Sequence, residues 1–444
     1  MQDVNSATAV SLDLDDLHSS LSDPLLDSMN FLNEIVSRYP QAISFAPGRP
    51  YDGLLDAGDI SEALDAYIEY LSSERQFTKE QIARQLMQYG PTNGIIRDLM
   101  ARAVALDEGI DLPPEAYVIT AGCQEGMLLV LRALFADPDD VLLVASPCYV
   151  GITGAARLLD LSVHPVLEGE SGVEPAAVIA AAQQIRAEGK RPRALYLVPD
   201  FSNPSGVNLP TAARHALLEA ARQEDLLILE DNPYGFFHSY EGDPRPTMKS
   251  LDRDGRVIYL GSTAKTAFPG ARIGYVIADQ PVRHPDGIVG LLADELSKIK
   301  SMTTVNTSPI AQAVIGGVLV RNGGRLRPAA EASARFYHDN MARLLDALDR
   351  CFPEPERTAA RISWNRPEGG FFVVMTVPFV ADIAALERAA GRHNVLWTPM
   401  SDFYVDGGGT HQLRLSCSAV RPELVDQGIG SLAEFVAAER LRSQ

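Results

Sequence analysis

Short apolar runs alternate with segments of helical periodicity along the chain from about residue 95. The segments IIRDLMARAVAL and QEGMLLVLRALF carry apolar residues three and four positions apart, which predicts amphipathic helices. Strands are predicted at the shorter apolar runs YVIT (117–120), VLLVASP (141–147), LSVHPVL, ALYLVPD, LLILED, VIYLGS and ARIGYVIA. Strands this apolar need cover on both faces, so they predict a mostly parallel sheet between two helical layers. The predicted fold class is α/β, with this three-layer sandwich as the large domain.

The pattern changes after residue 281, where longer helical segments such as GIVGLLADELSKIK and ARFYHDNMARLLDALDRCF are predicted. They are followed by the strand-like runs FFVVMTVP, NVLWTP and QLRLSCS, with a helix through IAALERAAG and a closing helix from about Pro422 to Arg442. This order predicts a second, smaller α+β domain, and 444 residues exceed what one hydrophobic core usually supports. The predicted units are an N-terminal arm or lid that belongs with the small domain (1–50), the large domain (51–325) and the C-terminal small domain (326–444).

Composition narrows the class of protein. The formal net charge of -19 would repel a phosphate backbone, so nucleic acid is not an expected partner. No run of 18 apolar residues occurs, and the first residues lack the basic-then-apolar pattern of a secretion signal, so we expect a cytoplasmic protein without a membrane partner. The four cysteines show neither CxxC nor His-Cys spacing, so we expect no metal site and no disulfide framework.

Lysine is scarce, with six residues against 33 arginines, which leaves few candidates for lysine-dependent chemistry. One of the six, Lys265, lies in GSTAKTAFPGARIGY directly after a predicted strand, close to Ser262 and Arg272. A lysine among small residues on a loop is more often a surface residue. Its neighbours in the predicted sheet change that interpretation.

Three other predicted strands end in polar or glycine-bearing turns. Asp231 closes the strand in LEDNPYG, and Asn203 is presented by the turn in DFSNPSG. In TAGCQEG, the residues Gly122, Cys123 and Gln124 join a strand to a helix and would offer backbone N–H groups to a phosphate. Each segment alone is also ordinary turn chemistry. Ligands bind at the carboxyl ends of strands in open α/β sheets, so together they predict a site for a phosphorylated, cationic, aldehyde-bearing ring.

These segments resemble the fold-type I pyridoxal 5′-phosphate enzymes, specifically the class I/II aminotransferases and, within them, the aminoadipate, kynurenine and aromatic aminotransferase branch. The resemblance extends from about Phe45 to Arg414. The family motif S-x-x-K-x-x-x-P-G-x-R-x-G occurs here as Ser262, Lys265, Pro269, Gly270, Arg272 and Gly274.

The resemblance implies a role for each residue around the cofactor ring. Lys265 would form the Schiff base and shuttle a proton. Asp231 would hold the pyridine nitrogen protonated, which keeps the ring an electron sink. Asn203 and Tyr234 would hydrogen-bond the phenolic oxygen, and Tyr149 would stack on the ring.

The resemblance also implies how phosphate and substrate are held. The expected phosphate ligands are Gly122, Cys123, Gln124, Ser262 and Arg272. Tyr89 would reach the phosphate of the neighbouring subunit, which implies a homodimer with shared active sites. Arg414 would bind the α-carboxylate of the substrate with the planar, bidentate geometry that arginine provides.

The sequence departs from the family pattern at two places. The residue before the lysine is usually Ser or Thr but here is Ala264, so one hydroxyl contact to the phosphate is missing. In SFAPGRPYDG, Gly48 matches the substrate-side glycine of the family, and Arg49 and Tyr51 follow it. This segment forms a lid in the aminoadipate-like relatives, which makes Arg49 and Tyr51 candidate specificity residues. An arginine that caps a surface turn would look the same.

The expected function is transfer of an amino group between an L-amino acid and a 2-oxo acid by a ping-pong mechanism. The N-terminal segment resembles that of transaminases that make arylglycines for peptide antibiotics, so an aromatic or arylglycine-like substrate is expected. One alternative is a pyridoxal phosphate enzyme that decarboxylates, eliminates or oxidises. Another is the effector-sensing domain of a transcription regulator, which would need a basic DNA-binding segment where this chain has about 45 acidic-leaning residues.

Overall fold

A computed structural model of the chain describes residues 11–23, 26, 34–238 and 245–442. Within those ranges, no helix combines the length and the apolar character needed to span a bilayer. The secondary structure of the described residues forms one large sheet, one small sheet, two short strand pairs and the helices that cover them.

The described residues place eight strands in the large sheet, in the spatial order β2-β9-β8-β7-β6-β3-β4-β5. Their bounds are β2 Tyr117–Thr120, β3 Asp140–Ser146, β4 Ser162–Gly169, β5 Gly172–Val173, β6 Arg191–Leu197, β7 Leu227–Asn232, β8 Val257–Ser262 and β9 Gly274–Ile277. Strands β4, β3, β6, β7 and β8 run parallel, whereas β9 is antiparallel to both of its neighbours and β5 forms a hairpin with β4. The prediction of a mostly parallel sheet is confirmed.

Helices cover both faces of this sheet. The helices of the large domain are α1 Gly58–Ser73, α2 Lys79–Met87, α3 Arg97–Glu108, α4 Cys123–Leu134, α5 Val150–Leu158, α6 Pro175–Ala187, α7 Thr211–Gln223, α8 Met248–Leu251, α9 Leu292–Thr303 and α10 Pro309–Arg321. Side chains along β3 alternate between faces, as the pleat requires. Val141 and Leu143 pack with α6 and α7, whereas Leu142 and Val144 pack with α4 and α5. The three-layer α/β class is therefore confirmed.

A second core lies towards the C-terminus. Its elements are α11 Arg327–Cys351, α12 Glu356–Ala359, β12 Ser363–Trp364, β13 Phe372–Thr376, α13 Ile383–His393, β14 Val395–Leu396, β15 Thr398–Pro399, β16 Gln412–Ser416 and α14 Val425–Arg442. Strands β12, β13, β16 and β15 form an antiparallel sheet. Near the N-terminus, β1 (Ile43–Ser44) pairs in parallel with β14, and Phe45 is fully buried in this second core. The domain boundaries given above stay predictions.

One predicted helix begins later than expected. In GIVGLLADELSKIK, the helix starts at Leu292, because β11 (Val289–Leu291) forms a hairpin with β10 (Pro281–Arg283). Two glycines and the β-branched pair Ile288 and Val289 disfavour a helix there, and Gly287 adopts a φ of +84° in the turn. The helical interpretation of residues 287–291 is wrong.

Candidate active site

A cavity of about 370 Å³ opens at the carboxyl ends of β6, β7 and β8. The N-terminal ends of α4 and α5 form one wall, and residues of β15, β16 and the segment after β1 form another. Twelve of the predicted site residues line it: Gly48, Arg49, Cys123, Gln124, Tyr149, Asn203, Asp231, Tyr234, Ser262, Lys265, Arg272 and Arg414. The sheet therefore brings strand ends that are far apart in sequence into one site, as expected for open α/β sheets.

Lys265 lies in the turn after β8, and its Nζ donates a hydrogen bond of 2.7 Å to the backbone oxygen of Gly48. Burial, with further contributions from Arg272 and Arg414, lowers the pKa of Lys265 to about 8. The two arginines lower this pKa because their positive charges lie near the amine and disfavour its protonated, positively charged form. An amine of this kind is available as a nucleophile and as a base near neutral pH.

Asp231 ends β7 and is buried. Tyr196 donates to its Oδ2 at 2.7 Å, and the thiol of Cys123 donates to its Oδ1 at 3.4 Å. Burial raises the pKa of Asp231 to about 6, against the effect of these two hydrogen bonds. Among the described residues, no cationic side chain pairs with this carboxylate. A buried carboxylate without a cation suits a positively charged group, which would offset the cost of burying the charge.

The N-terminus of α4 has the form of an anion site. Gly122 precedes the helix with a φ of +82°, and a Cβ there would lie 2.4 Å from Nη2 of Arg272. A Cβ on Gly274 would lie 2.5 Å from the backbone nitrogen of Cys123. The two glycines thus allow Arg272 and β9 to approach a helix end whose first N–H groups have no partner within the helix. Ser262, at the end of β8, lines the same cavity.

Arg414 projects from β16 and is buried. Its Nη1 donates to Oδ1 of Asn203 at 2.6 Å, and its Nη2 donates to the backbone oxygen of Ala46 at 2.9 Å. The guanidinium lies 4.4 Å from the ring centroid of Phe372 and 4.8 Å from that of Phe403. Its Nε has no hydrogen-bond partner, and no carboxylate of the described residues pairs with it. Burial lowers the pKa of Arg414 to about 10, and an incoming carboxylate would offset this effect by pairing with the buried charge.

Tyr149 and Gln124 form the wall at the start of α5. The hydroxyl of Tyr149 donates to Oε1 of Gln124 at 3.4 Å, and Nε2 of Gln124 donates to the backbone oxygen of Gly151 at 2.8 Å. A Cβ on Gly151 would lie 2.3 Å from the Tyr149 ring, so the glycine leaves room for that ring. Burial raises the pKa of Tyr149 to about 12 and raises that of Tyr234 further, so both remain neutral hydrogen-bond donors.

Three predicted residues occupy other surroundings. Gly122 lies behind Arg272 and does not itself line the cavity. The ring of Tyr51 stacks on Phe336 at 4.6 Å, outside the cavity lining. Tyr89 is 84% exposed, so its predicted contact with a neighbouring subunit stays a prediction. Arg49 does line the cavity, but it is exposed and donates to Asp52 at 2.8 Å.

Sequence reasoning missed the residues that hold the predicted ones in place. Tyr196 lies in an apolar strand pattern that gives no separate signal for it. On β6 it pairs with Leu229 of β7, two residues before Asp231, and its hydroxyl donates to that carboxylate. Thr398 lines the cavity and accepts a hydrogen bond from Arg414, and Phe403 contacts the same guanidinium. No local motif marks these residues.

Ala264 lines the cavity, and neither neighbouring threonine, Thr263 or Thr266, reaches the lining to replace the missing hydroxyl.

The donor set fits one kind of group. The helix end with Arg272 suits a phosphate, Asp231 suits a protonated ring nitrogen, and the Lys265 amine suits an aldehyde. These are the three functional groups of pyridoxal 5′-phosphate. The buried carboxylate without a cation is the observation that decides the fit.

Known proteins share this fold and this sequence pattern. The family Aminotransferase class I and II matches residues 54–432. The (S)-3,5-dihydroxyphenylglycine transaminase of Amycolatopsis orientalis is 49% identical over 97% of this chain and 96% of that protein. The 2-aminoadipate transaminase of Thermus thermophilus is 30% identical over 89% of this chain and 90% of that protein.

Solved structures agree. A multiple substrate aminotransferase from Thermococcus profundus superposes with a TM-score of 0.81 at 29% identity, covering 97% of this chain and 100% of that one. The kynurenine aminotransferase of Pyrococcus horikoshii gives a TM-score of 0.79 at 27% identity, covering 96% and 98% of the two chains. The chain belongs to the class I and II aminotransferases of fold type I, and it is an amino-acid aminotransferase whose cofactor is pyridoxal 5′-phosphate.

Proposed function

We propose that this aminotransferase moves an amino group between an arylglycine, (S)-3,5-dihydroxyphenylglycine or a close analogue, and a 2-oxo acid. The observation that carries the proposal is the 49% identity to the dihydroxyphenylglycine transaminase over nearly the full length of both chains. The apolar side chains of Val150 and Phe403 line the cavity and suit an aromatic ring.

Bound pyridoxal phosphate supplies an electron sink and a temporary carrier for the amino group. In the proposed arrangement, Arg272, Ser262 and the first N–H groups of α4 hold its phosphate. Asp231 keeps the ring nitrogen protonated, while Asn203 and Tyr234 donate hydrogen bonds to the phenolic oxygen. Tyr149 covers a face of the ring and excludes water.

Lys265 is the proton carrier in this proposal. Its amine, with a pKa of about 8, takes the proton from Cα of the substrate and can deliver it to another carbon. Arg414 binds the α-carboxylate and fixes the orientation of the Cα–H bond. Because Asn203 accepts a hydrogen bond from Arg414, the same contact couples the substrate carboxylate to the phenolic side of the cofactor.

We further propose that the enzyme is a homodimer with shared active sites and that it works in the cytoplasm. Tyr89 and Met87 are 84% and 80% exposed in the single chain, at the end of α2. Large side chains exposed in this way suit an interface between subunits.

A half-reaction screen tests the substrate class. The enzyme is mixed with single amino acids in the absence of a 2-oxo acid, and the loss of the cofactor's visible absorption is followed by stopped flow. We expect 3,5-dihydroxyphenylglycine, 4-hydroxyphenylglycine and phenylglycine to react at least about tenfold faster than phenylalanine and 2-aminoadipate, as expected for about 1.4 kcal/mol of differential transition-state binding. Faster conversion of phenylalanine or 2-aminoadipate would refute the arylglycine assignment.

A further inference from the structure

Behind the site, Arg214 of α7 is fully buried and makes a complete set of hydrogen bonds. Its Nε donates to the backbone oxygen of Leu209 at 3.0 Å. Its Nη1 donates to Oδ2 of Asp200 at 3.2 Å and to the backbone oxygen of Pro246 at 3.0 Å. Its Nη2 donates to Oδ1 of Asp200 and to the backbone oxygen of Pro199 at 3.3 Å. All five N–H groups of the guanidinium are thus used.

The turn that this arginine spans carries Asn203. Pro199 and Asp200 lie directly before the turn and Leu209 lies directly after it. Within the turn, Phe201 has a φ of +49°, which L-residues rarely adopt, so the turn needs external contacts to keep this shape. The Arg214 contacts at both ends supply them.

The same carboxylate also reaches a second loop. Nε2 of His238 lies 2.7 Å from Oδ1 of Asp200, and the imidazole packs against the Phe201 ring with centroids 4.8 Å apart. His238 ends the 3-10 turn that begins after Tyr234, so a single turn of backbone connects the two residues. Burial would raise the pKa of Asp200, but the hydrogen bond from His238 and the charge of Arg214 outweigh it, and its pKa lies below the ordinary value.

We infer that His238 and Asp200 are positioning residues that fix the separation between Asn203 and Tyr234, and thereby the hydrogen bonding to the phenolic oxygen of the cofactor. The inference rests on the cofactor contacts proposed above for Asn203 and Tyr234. Neither His238 nor Asp200 lines the cavity, so they act through the two loops. Hydrogen bonds donated to the phenolic oxygen favour its ionised form. Loosening either loop should therefore raise the pH midpoint at which the cofactor's visible absorption changes.

The test compares His238→Phe with His238→Gln in the holoenzyme. Phenylalanine keeps an aromatic ring against Phe201 but cannot donate to Asp200, whereas the glutamine amide can donate. We expect His238→Phe to raise the spectral midpoint by about half a pH unit or more, which is a threefold change in proton affinity. We also expect it to slow the half-reaction with phenylglycine by roughly tenfold, while His238→Gln stays within about threefold of wild type.

Two sets of variants separate positioning from a loss of stability. Ile185→Ala, in the core under α6 and outside the cavity lining, is the control, because it should lower the melting temperature without removing a contact of His238 or Asp200. In a Tyr234→Phe background, adding His238→Phe should shift the midpoint by less than half of the shift that it causes alone. The reason is that the proposed hydrogen bond from Tyr234, one of the two contacts through which His238 acts, is already absent. If His238→Phe gives no soluble enzyme, His238→Leu, which likewise cannot donate to Asp200, replaces it in the same comparison.

Two results would overturn the inference, and they are distinguishable. An unchanged midpoint and half-reaction rate in His238→Phe, together with altered values in Tyr234→Phe and Asn203→Ala, would leave the proposed cofactor contacts intact and show that His238 is only structural. Unchanged midpoints in Tyr234→Phe and Asn203→Ala themselves would refute the proposed contacts, and the inference with them.

Discussion

Lys265 differs from the other buried lysines in what surrounds it. Lys249 is paired with Asp279, and Lys300 donates to both carboxylate oxygens of Glu125 at 2.9 Å. Lys265 instead meets a backbone oxygen and two arginine charges. Among the described residues no carboxylate pairs with the Lys265 amine, and burial together with the two arginine charges lowers its pKa. The surroundings thus distinguish the lysine proposed for the chemistry from two lysines that form ion pairs.

The burial that suits the Asp231 carboxylate to its proposed role also opposes the stability of the folded protein. Its pKa is raised from 3.8 to about 6 by burial, so the folded protein without a bound cation holds this proton more tightly than the unfolded chain does. Such a carboxyl destabilises the folded state as pH rises from about 4 to 6, and the penalty is complete above 6. Its upper limit is roughly 3 kcal/mol.

The variant Asp231→Asn should therefore lose activity and gain stability. We expect kcat to fall by about 100-fold or more, because an amide cannot stabilise a protonated ring nitrogen. Denaturant titration of the protein freed of cofactor should show a higher free energy of unfolding than wild type at pH 8 and no difference below pH 4. Near-normal turnover, or lower stability at pH 8, would show that Asp231 is only a turn residue.

The site residues that sequence could predict share one property. Lys265, Asp231 and Asn203 lie at strand ends, where a polar residue interrupts an apolar run and is visible in the pattern. Tyr196 lies within a predicted strand and Arg214 within α7, and only their tertiary contacts identify them. A polar residue buried inside an element gives no local signal in one sequence.

At the scale of elements, the N-terminus of α4 depends on the backbone of Gly122. Its φ of +82° and ψ of 163° belong to a region that is nearly restricted to glycine. The arginine contact adds a second constraint, since no Cβ fits beside Nη2 of Arg272.

We expect Gly122→Ala to weaken cofactor binding by about 10- to 100-fold, the effect of losing one charge-assisted hydrogen bond. Equilibrium titration of the apoenzyme with pyridoxal phosphate measures this change. Gly109→Ala is the matched control, because Gly109 also has a positive φ (+69°) but has open space around its Cβ position. Equal losses of affinity in the two variants would mean that backbone strain, and not the anion site, is responsible.

Element boundaries show where the sequence pattern is insufficient. Seven of the eight strands of the large sheet were predictable, because each is a short apolar run between turn formers, whereas the two-residue β5 was not predicted. The β10–β11 hairpin was not, since its outward-facing residues are partly or fully exposed and its apolar spacing continues into α9. A short hairpin on the surface has too little burial to produce a pattern of its own.

At the scale of the whole molecule, the site joins the two cores. Arg414 comes from β16 of the small sheet, Asn203 follows β6 of the large sheet, and the two side chains are hydrogen-bonded. Two sheets, each with its own core, therefore meet at the place proposed for the substrate carboxylate. The subunit partner predicted for Tyr89 could not be derived from one chain, in which this side chain is 84% exposed.

Subunit mixing tests the shared site. Lys265→Ala and Tyr89→Ala homodimers should each have little activity. Mixed by unfolding and refolding, they should regain about a quarter of wild-type activity, because half of the dimers are hybrids with one intact site out of two. Mixing Lys265→Ala with itself is the control. If the mixture regains nothing although hybrids are detected, Tyr89 does not complete the partner's site.

The segment after β1 has a consequence for affinity that involves no contact with a ligand. The backbone oxygens of Ala46 and Gly48 accept hydrogen bonds from Arg414 and Lys265, the two groups that the proposed function assigns to the substrate and the cofactor. The segment thus competes within the molecule for the hydrogen-bonding groups of Arg414 and Lys265. Its effective concentration at these groups is fixed by the length and stiffness of the chain that carries it. Lengthening or stiffening the chain between β1 and α1 would alter that concentration. It would then scale the apparent affinity for all substrates by one common factor, leaving the choice among them unchanged.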